Sequence, residues 1–171
     1  MTAATTKGHA RPAKDVPRWC LIAGAVCLPL LLLSACTPFG PKRVEANWRE
    51  VTLIAAADAN RNSPVAVDLV LVSEPKALDR IMTLSAAQWF ATRGDLLATF
   101  PGGVRRQGWE IVPGQILASR DRALLSGKRI VAALVFARYD AVGEHRVRLD
   151  RHDGRLVLSF QEEDFTALVT K

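Results

Sequence analysis

Cysteine is scarce in this chain and badly placed for chemistry. There are three, Cys20, Cys27 and Cys36, all at the front. If the leader is removed at Cys36 and that residue is modified, no thiol remains for a disulfide, a zinc site or a nucleophile. The body must then be held together by its own apolar core. Histidine is nearly as rare, with only His145 and His152 beyond the leader. They lie seven residues apart on opposite-facing positions, with no third ligand at a suitable spacing, so no metal is expected. There is no G-x-S-x-G elbow, Walker loop or dinucleotide fingerprint. Glu162, Glu163 and Asp164 are adjacent rather than convergent, and they read as a solvated strand end rather than a glycosidase pair. The expectation is a protein without a catalytic residue, not an enzyme.

Basic charge is also less abundant than it looks. The whole chain carries +6, but Lys7, Arg11, Lys14 and Arg18 against Asp15 belong to the leader, leaving 19 basic and 16 acidic residues in 36–171, a net +3. Aromatics make up 6%, and the arginines are interspersed with acids. A nucleic-acid surface would need a basic stripe with stacking rings, so no nucleic-acid partner is expected. A long hydrophobic run is missing too. The apolar block 19–33 is broken by Gly24 and Pro29, and it falls short of the roughly 20 residues of a spanning helix.

What is present at the front has the order of a secretory signal: a basic stretch, then an apolar one. Leu33-Ser34-Ala35-Cys36 then has the form of the bacterial lipoprotein box. Small side chains let the backbone enter a peptidase cleft, and the Cys36 sulfur takes a thioether-linked diacylglycerol, followed by an N-acyl chain. Acyl chains bury on the order of 0.8 kcal/mol per CH₂, and stable anchoring takes more than one. Thr37 stands where an aspartate would favour the inner membrane, so the outer membrane is expected. A bitopic anchor with Cys36 as a buried thiol is the other reading of these residues. The expected organisation is a signal peptide at 1–35, a lipid-anchored tether at 36–46 containing two prolines and a glycine, and one domain at 47–171.

Within that domain, 48–59 alternates with Val51, Leu53 and Ala55 on one face, and predicts a first strand. The turn formers of "DANRNS" interrupt it, and "VAVDLVLV" follows at 65–72. Seven of these eight residues are apolar, which predicts a central strand covered on both faces. Asp68 is the exception, and is expected to be hydrogen-bonded or at a solvent rim rather than catalytic. The period then changes. Pro75, Leu78, Ile81 and Met82, a capping box at Ser85-Ala86-Ala87-Gln88, then Trp89 and Phe90 predict a helical insertion at about 75–99. Trp89 and Phe90 are expected to pack this piece onto a sheet. Further strands are predicted at 105–112, after the Pro113-Gly114 turn, and in the apolar run 130–137. A closing hairpin turning at Asp153-Gly154 would pair Leu149 with Leu158 and Val147 with Phe160. The fold class is mainly β: a two-layer β-sandwich of about seven strands, with a short helical insertion after the second.

Taken in order, the lipobox, "NRNSPVAVDLVLV", "SAAQWFATRGDL", "VPGQ" and "IVAALVFARYD" resemble the TssJ/VasD-like outer-membrane lipoproteins of type VI secretion systems. The resemblance implies a transthyretin-like sandwich with an added helical element, anchored to the periplasmic face of the outer membrane. It implies a part in assembling the trans-envelope complex by binding the periplasmic domain of the inner-membrane protein TssM. No cofactor is implied beyond the covalent diacylglycerol and N-acyl chain on Cys36. In that family, the loop between the first two strands carries partner contacts. Here it is 58–64, with Asn60, Arg61, Asn62 and Ser63 as the candidate partner-binding residues. Read from their chemistry alone, they suit either a polar interface rim or an ordinary connection. A reading from another class also stands: a stand-alone periplasmic lipoprotein module binding a small ligand or glycan, with Trp48, Trp89 or Trp109 as an exposed stacking platform.

Overall fold

The computed structural model describes residues 41–171, apart from the side chains of 123 and 124. The segment 1–35 and Cys36 lie outside the described residues. Among the described residues nine strands form two sheets. One has the order β4-β1-β8-β9, with β5 also paired to β1, and the other has the order β3-β2-β6-β7.

β1 (Val44–Ala55) is the spine of the first sheet. It starts at Val44, inside the stretch expected as tether. Ala46 and Trp48 are buried, and then Val51, Leu53 and Ala55, so the buried positions change from even to odd numbers. A register shift between Trp48 and Glu50 absorbs the extra residue. Such a bulge is how a strand re-aims its apolar face without leaving the sheet. The first half of β1 pairs with β5 (Ser126–Ile130), the second half with β4 (Ile116–Ser119), and its other side pairs in parallel with β8 (Asp153–Phe160). β9 (Phe165–Thr170) closes the sheet against β8.

β2 (Val65–Val72) runs between β3 (Val104–Ile111) and β6 (Ala132–Arg138), as its two apolar faces predict. Val65, Val67, Leu69 and Leu71 face the first sheet and join the inter-sheet core. Val70 and Val72 face the other way, into a second core with Leu134 and Phe136 of β6. That second core is covered by α1 (Pro75–Ile81) and α2 (Ala86–Thr99), which supply Ala77, Ile81, Ala86 and Trp89. Trp89 is wholly buried and stacks on Phe136, with ring centroids 5.0 Å apart. The capping box forms at Ser85, whose Oγ accepts from the Gln88 amide at 3.3 Å while Gln88 Oε1 accepts from the Ser85 amide at 2.9 Å. Arg146 fastens the helices from the far side, donating to the carbonyls of Met82 and Leu84.

Two strand readings are corrected. The strand predicted in the apolar run 130–137 forms as β6, but it starts at Ala132, because Ile130 ends β5 in the other sheet and the chain crosses between the sheets at Val131. The predicted closing hairpin does not form. β7 (Arg146–Leu149) pairs with β6, whereas β8 lies in the opposite sheet, with Leu158 level with Leu53 and Ala167. The hairpin reading needed only that Val147, Leu149, Leu158 and Phe160 be shielded on a common side. Facing one another across the sandwich core satisfies that equally well. Gly154 is required for a different reason. Its φ is +90°, and a Cβ there would strike the carbonyl of Thr170.

Candidate functional site

The predicted partner loop lies at the end of the sandwich where β1 finishes and β2 begins. Residues Ala59–Asn62 make a single turn of unusual hand: Asn60, Arg61 and Asn62 have φ of 46°, 53° and 64°. Left-handed backbone costs an L-residue roughly 1–2 kcal/mol, least for asparagine, so three in succession must be imposed by their surroundings. Asn60 is where they are imposed. It is 2% exposed. Its Nδ2 donates to the Pro64 carbonyl at 3.1 Å, and its Oδ1 accepts from the Asp140 amide at 2.8 Å. Its own amide donates to the Gln161 carbonyl at 3.0 Å. One side chain and one peptide thereby tie the β1–β2 loop to the β6–β7 connection and the β8–β9 turn.

These two neighbours are joined to each other as well. The Tyr139 hydroxyl donates to the Asp164 carbonyl at 2.7 Å, and burial pushes its pKa up out of the usual phenol range. The Tyr139 ring stacks on His145 at 4.8 Å between centroids. His145, buried and at φ 42°, sets Nε2 2.9 Å from the Ala141 carbonyl. Its Nδ1 lies 3.3 Å from Asp164 Oδ1. Asp164 Oδ1 also accepts from the Phe165 amide. Three connections are therefore one hydrogen-bonded unit.

Of the four predicted contact residues, the structure separates the roles. Asn60 is internal and positions the loop. Arg61, Asn62 and Ser63 are outside it, with the Arg61 guanidinium 2.5 Å from Glu163 in an ion pair more than half exposed on both sides, which contributes little to stability. Around them Asp58, Asp140, Glu162 and Asp164 are exposed. Such a surface can offer charges and hydrogen bonds from a fixed backbone. Among the described residues no group of three His, Cys, Asp or Glu side chains is placed to hold a metal, and no helix is long and apolar enough to cross a membrane.

Asp68, singled out in the sequence as anomalous, belongs to a second constellation that sequence reasoning did not assemble. It is 1% exposed on the helix-covered face of β2. Its Oδ2 accepts from Trp89 Nε1 at 2.9 Å and from Arg93 Nη1 at 2.7 Å, and its Oδ1 accepts from Arg106 Nη1 at 3.1 Å. Gly108 stands directly opposite on β3, where a Cβ would collide with Arg106 Nη1 and Asp68 Oδ1. The carboxylate thus latches α2 to the sheet. The available signal was pairing: a buried acid on β2 with arginines on the next strand and on the covering helix. Trp48 and Trp89 are wholly buried and so offer no exposed stacking platform, while Trp109 is half-buried against the inter-sheet core.

No family model and no curated protein matches this sequence. Solved structures do match in shape. A chain of a structure described as "Type VI membrane complex" superposes with a TM-score of 0.55 at 15% identity, over 73% of this chain and 98% of that one. A structure of the T6SS protein TssM C-terminal domain, from EAEC, gives 0.51 at 14% identity, over 74% and 100%. Lip of Serratia marcescens, a membrane bound component of the Type VI Secretion System, gives 0.49 at 12% identity, over 75% and 100%. The sandwich built here, with its helical insertion, is in fold similar to solved components of the type VI secretion system.

Proposed function

We propose that this chain is a noncatalytic lipoprotein of a type VI secretion membrane complex. Acyl chains on Cys36 hold it to the outer membrane, and the loop end of the sandwich, through Arg61, Asn62 and Ser63, grips the periplasmic domain of a TssM-like inner-membrane partner. The observation that carries the reading is a lipobox, Leu33 to Cys36, placed directly ahead of a sandwich similar to a chain of a type VI membrane complex. The fold alone is shared with the TssM C-terminal domain structure. The lipobox is what favours the anchored component over a domain of its partner.

The geometry suits that task. β1 runs for 12 residues from the tether end to the loop end, which at about 3.3 Å per residue sets the loop roughly 36 Å from the tether. A loop already fixed by Asn60 needs no ordering on contact, and that lowers the cost of binding. The test is Cys36→Ser, followed by envelope fractionation and a secretion assay. The variant is expected in the soluble periplasm or uncleaved at the inner membrane, with its domain folded and secretion lost. A variant that still fractionates with outer membrane would overturn the anchor. A chain that keeps the anchor but does not co-purify with a TssM-like periplasmic domain would overturn the partner.

A further inference from the structure

Charge is divided between the two ends of this domain. The loop end exposes Asp58, Asp140, Glu144, Glu162, Glu163 and Asp164 against Arg61 and Arg138. The tether end is the reverse, with Lys42, Arg43, Arg129, Arg148, Arg151 and Lys171 exposed. Strand register brings these six together. Val44 lies opposite Ile130, which sets Arg129 beside the start of β1. Asn47 lies opposite Asp153, which brings in Arg151, and Arg155 lies opposite Thr170, which brings in Lys171. Leu149 pairs with Ala133 at the start of β6, which places Arg148 at the same end. Acids at this end include Glu45, which lies directly opposite Arg129, Asp150, Asp153, which is 3.5 Å from Arg151, and Glu74 just past the end of β2. The balance stays basic.

We propose that this basic end seats on an anionic phospholipid surface and so points the acidic loop end away from the bilayer. The inference rests on acylation of Cys36. From Cys36 to Val44 is eight residues, which extend to roughly 29 Å at most, so the tether end is confined near headgroups while the loop end is not. A tether of that kind restricts position without fixing direction. Lysines and arginines near an anionic leaflet are attracted to it, and the attraction fades within a Debye length of about 8–10 Å. Clustered basic charge at one end and clustered acidic charge at the other therefore orient the domain twice over, by attraction and by repulsion. Among the described residues no exposed aromatic stands between the basic ones, so the chemistry is that of a charged headgroup plane and not of stacked bases.

Trypsin reads the orientation directly, since cleavage after Lys42 or Arg43 frees the domain from its anchor. The purified acylated protein is reconstituted into phosphatidylcholine vesicles, with or without about a third phosphatidylglycerol. Release by a cut at Lys42 or Arg43, verified by the new amino terminus, is expected to be about tenfold slower on the anionic vesicles, and the difference should vanish in about 0.5 M NaCl. A variant carrying Arg129→Gln, Arg148→Gln, Arg151→Gln and Lys171→Gln should be released equally fast from both. Equal release of the unaltered protein from both vesicles, or continued protection of the variant, overturns the proposal and leaves the anchor intact. Protein that floats with neither vesicle instead overturns the acylation beneath it.

Discussion

Replacing Asn60 by alanine and, separately, by glycine tests whether the partner loop is rigid because one buried asparagine imposes it. Both changes remove the bond to the Asp140 amide and the bond to the Pro64 carbonyl. At about 1 kcal/mol for each net hydrogen bond, the loss is about 2 kcal/mol. Alanine must also hold φ 46°, which adds about 1 kcal/mol that glycine avoids. The expected penalties are therefore about 3 kcal/mol for Asn60→Ala and about 2 kcal/mol for Asn60→Gly. For a domain of this size that is about 10 °C and 7 °C in Tm. Urea denaturation followed by circular dichroism gives the free energies, and amide exchange at Asp140 reports the broken contact. The glycine variant should keep a folded sandwich while the partner affinity drops, because the loop must now be ordered on binding. Penalties under 0.5 kcal/mol for both variants, or alanine and glycine behaving alike, would refute the reasoning.

Asp68→Asn leaves Arg93 and Arg106 facing a neutral partner beneath α2. With both arginine side chains about one third exposed, the cost is expected near the low end for a broken buried pair, about 3 kcal/mol, with altered Trp89 fluorescence as the local readout. Tyr139→Phe removes only the bond to the Asp164 carbonyl, so a loss of about 1 kcal/mol is expected in the same denaturation assay. His152 is held neutral mainly by burial, helped by Arg148, and its pKa is lowered. Because the unfolded chain binds that proton more readily, this contribution is intact above about pH 6.5 and is lost as pH falls through the lowered folded value. His152→Gln should therefore lose less stability than the unaltered chain between pH 7.5 and 5.5. An equal loss in the two proteins would remove His152 as the cause.

The elements that were legible in the sequence were those whose neighbours are decided locally. The helical insertion was readable because its start, its capping box and its apolar spacing all lie within a few residues of one another. β2 was readable because burial on both faces makes every residue but Asp68 apolar. Pairing was not, and the lost hairpin shows why. A common apolar face constrains which side of a strand is buried, but not whether its neighbour lies beside it or across the core. β9, in which Phe165, Ala167 and Val169 turn inward, lies just after an acidic run that hides its alternation. The candidate loop was found as a position, whereas the division between a buried Asn60 and an exposed Arg61 and Asn62 came only from contacts 80 and 102 residues away in sequence. The Asp68 latch likewise depends on Arg93 and Arg106, 25 and 38 residues further on.

Mass spectrometry of the amino-terminal peptide of the native protein shows whether Cys36 is the lipid anchor. The peptide is expected to begin at Cys36 and to carry a diacylglycerol thioether and an amide-linked acyl chain. A peptide that begins at Met1, or one that begins near Cys36 without lipid, would contradict it.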